Sequence, residues 1–418
     1  MFNFLTMLSD ERWSYSTLFL YIVIVISSSF FAWISQSRYK ENNSFDLFVN
    51  KIFGTVKRII SGVLKPGVIS KIRNLIFVIN FKQKREDIDL GKHSKINFLP
   101  LFISFIILWF FSAFRSVGAD YLTYKEIFNN ANDKEYIQYH GIETGYVLLN
   151  KLIRIFTHNE FLFLAFISLI TTLLVFCTIY YFSSKIHVGL AVLAYTSIFY
   201  FQSYNLTRIY LASAIVLFAS RFLFQKQYGS YILLVLIASS IHTSSIVMFL
   251  PLFLVLLFGN NKKWIVGFLF IFVLTCFIFV DYLIYFNISD RYEKYLVDTN
   301  LGSIGLGQMV IHAPLVALFL YLRRFELNFK IIHIFFVFIA SSFAISMLGY
   351  AVPMIGRLFA HFTLPFLIFI PFGVWQIRNE KEYKPVLVIA ILYMVWRLFL
   401  YFSGYLFLDG IMPYDTIF

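Results

Sequence analysis

The residues best suited to chemistry in this sequence lie at or near the ends of long apolar runs, in the segments between these runs, or at a polar break within one. The arginines among them are Arg115, Arg208, Arg291 and Arg357. The acids and the histidine among them are Asp120, Glu143 and His242. A guanidinium group is planar and always charged, and it binds phosphate through paired hydrogen bonds. A carboxylate or an imidazole accepts the proton of an attacking hydroxyl group.

These residue types together indicate a transfer reaction in which a pyrophosphate leaves. Arginine neutralises the charge that develops on the leaving group, and a base activates a hydroxyl acceptor. Asp120, Glu143 and His242 each fit the role of the base, and the sequence leaves all three open. The competing interpretation of each arginine is an ion pair with a local acid or a contact with lipid phosphates. The competing interpretation of His242 is a turn residue whose side chain hydrogen-bonds backbone groups that the helices leave without a partner.

Two tyrosines and two glycines accompany these candidates. Tyr124 and Tyr292 are predicted, with the arginines, to bind the pyrophosphate or the sugar. Gly118 and Gly145 predict tight turns, because the GxxxxGK pattern of a phosphate-binding loop is absent from the sequence. No metal site is predicted, since the histidines show no ligand spacing such as HExxH.

The elements that must position these side chains are membrane-spanning helices. Of 418 residues, 60% are apolar and 14% charged, whereas soluble chains average about 45–50% and roughly 25%. These values exclude a soluble enzyme, a nucleic-acid-binding module and a disordered scaffold. The net charge of +13 indicates basic residues collected on the cytoplasmic side of a bilayer. Both cysteines lie in apolar runs and predict no disulfide framework.

Continuous apolar runs of roughly 20 residues predict helical spans rather than a β-barrel. The predicted spans are 15–35, 96–114, 160–182, 186–204, 209–224, 265–286, 306–322, 331–350, 358–375 and 385–407. The run 231–258 is too long for one upright helix, and both of its flanks carry lysine. We therefore expect a short helical hairpin at 231–258, with His242 at its external tip. The predicted fold is an all-α polytopic membrane protein with about 12 transmembrane helices and both termini external.

The segment 36–95 is predicted to be cytoplasmic and holds 13 of the 35 basic residues. Its apolar spacing predicts two amphipathic helices on an anionic leaflet, the alternative being a partner-binding surface. The predicted organisation is an external N-terminus and first span at 1–35, this cytoplasmic segment at 36–95, a transmembrane catalytic core at 96–407 with an external loop at 115–159, and an external tail at 408–418. No cleavable signal peptide is expected. Within the spans, Arg397 is expected to pair with Asp281.

At these residues the sequence resembles the EpsG-like, Wzy-type polysaccharide polymerases of bacterial envelopes. The ordered segments that carry the resemblance are Arg115 to Tyr124, Glu143 to Tyr146, Arg208 to Ala214, Ala238 to Ser244, Arg291-Tyr292 and Gly356-Arg357. The family often has Thr where this chain has Ala119. Each motif alone is short, but their order and spacing cover most of the chain.

The resemblance implies a GT-C-like, metal-independent glycosyltransferase of the bacterial inner membrane that needs no cofactor. It would join undecaprenyl-pyrophosphate-linked repeat units into O-antigen, capsule or exopolysaccharide on the periplasmic face. The implied partners are the lipid-linked donor and acceptor and the bilayer, with a chain-length regulator left open and no nucleic acid. The implied site residues are Arg115, Asp120, Glu143, Arg208, His242, Arg291 and Arg357. Two alternatives stay open, namely a flippase or exporter of lipid-linked oligosaccharides and an O-antigen ligase.

Overall fold

The computed structural model describes residues 14–37, 96–259, 261–278, 301–325, 329–348, 358–363 and 365–417. Within these ranges the chain is helical and contains no strand, so the predicted all-α class is confirmed. The helices up to the centre of the sequence are α1 (Tyr15–Ser37), α2 (Phe98–Ala113), α3 (Tyr121–Asn129), α4 (Lys134–Tyr139), α5 (Thr144–Arg154), α6 (Glu160–Phe182), α7 (Val188–Tyr195), α8 (Gln202–Asn205) and α9 (Thr207–Phe224).

The later helices are α10 (Tyr228–Ile241), α11 (Phe249–Phe258), α12 (Lys262–Ile278), α13 (Leu301–Leu322), α14 (Phe329–Leu348), α15 (Ile370–Gln376) and α16 (Tyr383–Gly404). A 3-10 helix, Thr243–Met248, separates α10 from α11, and a 3-10 turn lies at residues 358–361. One π-helical turn, Thr196–Tyr200, extends α7, and another, Pro365–Phe369, precedes α15. Two asparagines fix the start of long helices. Asn97 and Asn159 accept hydrogen bonds from first-turn N–H groups of α2 and α6.

Five of these helices, α1, α6, α9, α14 and α16, are long and apolar enough to cross a membrane. Six shorter apolar helices accompany them in the described ranges. Large apolar side chains such as Phe19, Ile26 and Phe270 are more than half exposed, as expected where the neighbour is lipid. The molecule is therefore a multi-pass membrane protein, while the count of about 12 crossings and the external placement of both termini stay predictions.

Helix α9 lies at the centre of the bundle. Its most apolar 18-residue stretch is 83% buried inside the protein, against 33% for α1 and 39% for α16. Small residues, including Ala212, Ser213 and Ala219, let α6 and α10 approach its backbone closely. Since Arg208 is the second residue of this helix, the most constrained element of the fold positions that guanidinium group.

The chain reverses direction at His242. Helix α10 ends at Ile241, and His242 is extended, with φ −147° and ψ 114°. The Tyr231 hydroxyl donates to the Met248 carbonyl oxygen at 2.7 Å, so the 3-10 helix returns along α10. The break lies where the polar cluster in the run 231–258 predicted it.

The C-terminal tail pairs with the segment that follows α2. The N–H of Ser116 donates to the Asp415 carbonyl at 2.9 Å, and the N–H of Ala119 donates to the Asp409 carbonyl at 2.8 Å. Gly118, with φ +128°, forms the predicted turn, and a Cβ there would lie 2.7 Å from the Tyr204 carbonyl oxygen. This pairing brings together two segments that are far apart in the sequence.

Three further predictions concern residues outside the described ranges. These are the amphipathic helices of the segment 36–95, of which residues 38–95 are not described, and the predictions that fall on the segments 279–300 and 349–357. Arg397 is described and is 8% exposed; its Nη1 donates to the Tyr393 hydroxyl at 3.3 Å, and its guanidinium lies 5.6 Å from the Phe366 ring centroid. Its expected partner, Asp281, lies outside the described residues.

Candidate active site

Glu143 and Arg208 form a half-buried ion pair. The Arg208 Nη1 donates to Glu143 Oε2 at 2.8 Å, and the two side chains are 17% and 19% exposed. Glu143 immediately precedes α5 but makes no side-chain hydrogen bond to that helix. Because partial burial lowers the effective dielectric constant, this pair is stronger than an ion pair in water.

The second oxygen of Glu143 contacts the hairpin tip. The backbone N–H of Thr243 donates to Glu143 Oε1 at 3.4 Å, and Thr243 follows His242 in the chain. One carboxylate therefore connects the start of α5, the start of α9 and the hairpin tip. Glu143 and Arg208, which are distant in sequence, therefore lie together and next to Thr243, the residue after His242.

Gly145 permits the close approach of α5 to the hairpin. It is the second residue of α5, so the tight turn predicted at this position is wrong. A Cβ at residue 145 would lie 2.6 Å from both the carbonyl carbon and the carbonyl oxygen of Ser240. Glycine is needed here because two backbones touch, not because of an unusual φ angle.

Two tyrosines lie on the inner side of the ion pair. The Arg208 guanidinium lies 5.5 Å from the centroid of the Tyr146 ring, in the range of a cation–π contact. Tyr124 meets Tyr146 edge to face, with centroids 6.4 Å apart. Burial raises the pKa of Tyr124 to about 12, although the neighbouring Arg208 charge opposes that rise. Tyr124 is therefore a neutral phenol beside the guanidinium.

Asp120 is linked to the tail through Asn205. The backbone N–H of Asp120 donates to Asn205 Oδ1 at 2.9 Å, and Asn205 Nδ2 donates to Asp409 Oδ1 at 3.0 Å. The Tyr401 hydroxyl donates to Asp409 Oδ2 at 2.6 Å. Burial raises the pKa of Asp409, the two hydrogen bonds oppose that rise, and the charge of Asp120 adds to it. Two acids with different environments thus lie close together.

Asp409 and Asn205 are not among the site residues predicted from the sequence. Asp409 belongs to an Asp-Gly pair after the last apolar run, and that pattern by itself predicts only a turn. Asn205 ends the short helix α8. Both become site residues because the tail folds back onto residues 114–119. This tertiary contact cannot be predicted from the local sequence pattern.

Arg115 lies beneath the start of α9 and is 3% exposed. Its Nη2 donates to the Tyr204 carbonyl at 3.1 Å and to Thr207 Oγ1 at 3.3 Å, and its Nη1 donates to the Ser112 carbonyl. The guanidinium also lies 4.6 Å from the Tyr204 ring centroid. Burial lowers the pKa of Arg115 from its usual value. Arg115 therefore ties the end of α2 to the residue that precedes Arg208.

His242 is half-buried at the hairpin tip, and its Nδ1 lies 2.6 Å from Ser244 Oγ. Its ring centroid is 6.4 Å from that of His361, a buried histidine that the sequence analysis did not select. Arg291, Tyr292 and Arg357, also predicted as site residues, lie outside the described residues. No group of three or more His, Cys, Asp or Glu within the described ranges is arranged to hold a metal ion.

The described part of the site thus combines a fixed cation with candidate bases. Arg208 offers charge for an anionic group, Glu143 pairs with it, His242 precedes the residue whose N–H donates to Glu143, and Asp120 lies beside Tyr124 and Asp409. Such a constellation suits the transfer of a group from an anionic leaving group to a hydroxyl acceptor.

A sequence model of the EpsG family matches residues 98–416. The match begins with α2 and ends in the C-terminal tail, so it covers well over half of the chain and every predicted site residue. No curated protein and no solved structure shows significant similarity to the chain.

Proposed function

This chain belongs to the EpsG family, whose members are Wzy-type polysaccharide polymerases, and from that premise we propose the reaction that it performs. It joins undecaprenyl-pyrophosphate-linked oligosaccharide repeat units into an O-antigen, capsular polysaccharide or exopolysaccharide. The reaction takes place at the periplasmic face of the bacterial inner membrane. The growing chain on one lipid carrier is transferred to a new unit on another.

The observation that carries this proposal is the Arg208–Glu143 pair beside the hairpin tip that holds His242. A guanidinium held 2.8 Å from a carboxylate is preorganised, so it need not be ordered when an anion arrives. The phosphate oxygens of the donor carry more charge than Glu143 and can share or replace it as acceptors for Arg208. The neighbouring Glu143 and His242 then face the acceptor hydroxyl.

The chemical step forms one bond and breaks one. The acceptor hydroxyl oxygen attacks the anomeric carbon of the donor sugar, and a new glycosidic C–O bond forms. The bond between that carbon and the pyrophosphate oxygen breaks, and its electron pair leaves with the lipid pyrophosphate. The hydroxyl proton passes to Glu143 or His242, and Arg208 neutralises the leaving group.

The remaining site residues support this step. Asp120, held through Asn205 and next to Asp409, shapes the acceptor end together with Arg115, which fixes the start of α9 from below. Tyr124 and Tyr146 provide apolar surface against a sugar ring and keep the guanidinium in place. Arg291, Tyr292 and Arg357 complete the pyrophosphate and sugar contacts in this proposal, which for these three rests on the sequence motifs.

The test uses the purified full chain in nanodiscs with lipid-linked repeat units as the only substrate. A polymerase makes products of two or more units without any closed vesicle, and Arg208→Ala should reduce product formation at least 100-fold. The control is Arg378→Ala. Arg378 is exposed, and its Nη1 donates to the carbonyl of Trp375, whose indole N–H donates to the Ser184 carbonyl. Full polymerisation by Arg208→Ala would contradict the proposed role of this residue.

The same assay separates the two competing functions. A flippase or exporter does not lengthen the lipid-linked units in nanodiscs. It moves these units across the membrane of a closed vesicle. A ligase transfers a finished chain to a different lipid acceptor and does not extend single units. Extension of single units in nanodiscs is therefore the result that supports a polymerase.

A further inference from the structure

A chain of hydrogen bonds runs from the hairpin tip into the core of the protein. His242 Nδ1 lies 2.6 Å from Ser244 Oγ, which lies 2.7 Å from His361 Nε2. His361 Nδ1 lies 2.9 Å from Ser213 Oγ, and Ser213 Oγ lies 2.8 Å from the Ile209 carbonyl oxygen. We call these four side chains the imidazole–hydroxyl chain.

The inner half of this chain is sealed from solvent. His361 and Ser213 are each 1% exposed, and Ser213 lies on α9 five residues after Arg208. Both ring nitrogens of His361 are engaged by serine hydroxyls, so its ring orientation is fixed at two points. A buried histidine held in this way is neutral, with one nitrogen as donor and the other as acceptor.

Counting protons sets the direction of every bond in the chain. Ser213 has one hydroxyl proton, and it donates that proton to the Ile209 carbonyl, as serine commonly does within a helix. Ser213 must then accept from the N–H at His361 Nδ1. The Nε2 of the neutral His361 ring is consequently an acceptor, and Ser244 donates to it. Ser244 in turn accepts from an N–H at His242 Nδ1.

The opposite direction satisfies one bond fewer. If Ser213 donated to His361 instead, its bond to the Ile209 carbonyl would be lost. The donors and acceptors of the other three side chains would merely exchange roles. Since a buried hydrogen bond that is left unmade destabilises the protein, the direction that begins at the Ile209 carbonyl is favoured.

We propose that His361 is a positioning residue that, through Ser244, holds His242 as the tautomer with its proton on Nδ1 and its lone pair on Nε2. This inference deepens the proposed function, in which His242 is one of the two candidate bases. The tautomer is the one that a base needs, because Nε2 can take the acceptor's hydroxyl proton. The ring then becomes an imidazolium with protons on both nitrogens, and Nδ1 continues to donate to Ser244. No other proton in the chain has to move.

The direct test is nitrogen NMR spectroscopy of the full chain carrying ¹⁵N-labelled histidine, with His242→Gln used to identify the His242 signals. We expect the protonated nitrogen of His242 to be Nδ1 in the unmodified protein. Ser244→Ala removes the acceptor and should mix the two tautomers. His361→Phe should do the same, whereas His361→Gln should preserve the tautomer, because its amide oxygen can accept from Ser244.

The matched control is Ser245→Ala. Ser245 Oγ lies 3.5 Å from His361 Nε2, at the limit of a hydrogen bond, so its removal should leave the His242 tautomer unchanged. A proton on Nε2 of His242 in the unmodified protein would overturn the proposal. So would an unchanged tautomer in both Ser244→Ala and His361→Phe.

Kinetics then separate this proposal from the proposed function. Turnover should fall on the order of 10- to 100-fold in Ser244→Ala and His361→Phe, with little change in KM. This loss is no larger than the roughly 10²–10⁴-fold rate enhancement that a general base contributes. His361→Gln should retain most of the turnover of the unmodified protein. If the spectra show the expected tautomer while His242→Gln polymerises normally, the proton-acceptor role of His242 fails and the positioning of its ring stands. If the spectra fail, the positioning proposal fails whatever the activity.

Discussion

Gly145 packs so closely on Ser240 that a Cβ at residue 145 would lie 2.6 Å from the Ser240 carbonyl carbon and oxygen. This contact joins α5 to the hairpin beside two residues of the site, Glu143 and His242. Atoms of a real side chain do not approach backbone atoms this closely, so any residue larger than glycine must push the two elements apart.

Gly145→Ala should therefore weaken polymerisation at least tenfold, since the displacement breaks the contact between Glu143 and the Thr243 N–H. Overpacking of this kind costs about 1–3 kcal/mol, so the unfolding temperature should also fall. The measurements are product length in nanodiscs and thermal unfolding. Gly267→Ala is the control, because nothing lies within 4 Å of a Cβ there. Normal product length in Gly145→Ala would show that the contact is irrelevant to activity.

Glu143 and Arg208 should act as one unit. Glu143→Gln keeps the acceptor for the Thr243 N–H but removes the charge opposite Arg208, and turnover should fall by about 10²–10⁴-fold if Glu143 is the base. Adding Arg208→Ala to Glu143→Gln should then cost less than the product of the two single effects. Fully multiplicative losses, measured as kcat/KM for the lipid-linked donor, would mean that the two residues contribute independently.

Arg115 should support the fold more than it binds substrate, because it is 3% exposed and its Nη1 and Nη2 donate to protein acceptors. Arg115→Met leaves the Tyr204 carbonyl and the Thr207 hydroxyl without this donor, which should cost about 1–3 kcal/mol. We expect a lower unfolding temperature with KM for the donor nearly unchanged. Arg378→Met, at an exposed position, should change stability by less than about 0.5 kcal/mol. A raised KM at unchanged stability would instead support the predicted contact with substrate.

Asp409 should make stability depend on pH. Its pKa is raised in the folded protein, chiefly by burial, so folding favours its protonated form. The stability that it contributes is complete below the unfolded pKa of about 3.9 and is lost as pH rises through the higher folded pKa. Asp409→Asn cannot ionise, so it should gain in unfolding temperature relative to the unmodified protein across this window and hold that gain above it. The measurement is the difference in unfolding temperature between Asp409→Asn and the unmodified protein from about pH 4 to about pH 8. A difference that stays constant or reverses sign over this range would contradict a raised pKa of Asp409.

The parts of the fold that sequence reasoning predicted are those with a local physical signal. Composition identified a helical membrane protein, and the start and end of the span 160–182 were predicted correctly because long apolar runs have few alternatives. The polar cluster around His242 marked the reversal of the run 231–258. Arg208 was selected because the positive-inside rule disfavours a basic residue at a predicted external helix end. In the structure Arg208 forms an ion pair with Glu143, and its role in binding substrate stays a prediction.

The parts that were missed depend on contacts between distant segments. Asp409 enters the site only because the tail pairs with residues 114–119, and His361 matters only through two serines on other elements. Gly145 was assigned to a turn because glycine commonly marks one, whereas here it serves a helix that touches the Ser240 backbone. Neither pattern nor propensity carries information about such neighbours.

The attachment of the tail also imposes an order on the making of this protein. Asn205 hydrogen-bonds a carboxylate that is synthesised 204 positions later, which at 5–20 residues per second is roughly 10–40 s of translation. During that interval Asp120 and Asn205 have been synthesised, but the acid that hydrogen-bonds Asn205 has not yet been made. A chain that stops before the end of α16 therefore inserts most of its helices and still leaves this corner of the site unassembled.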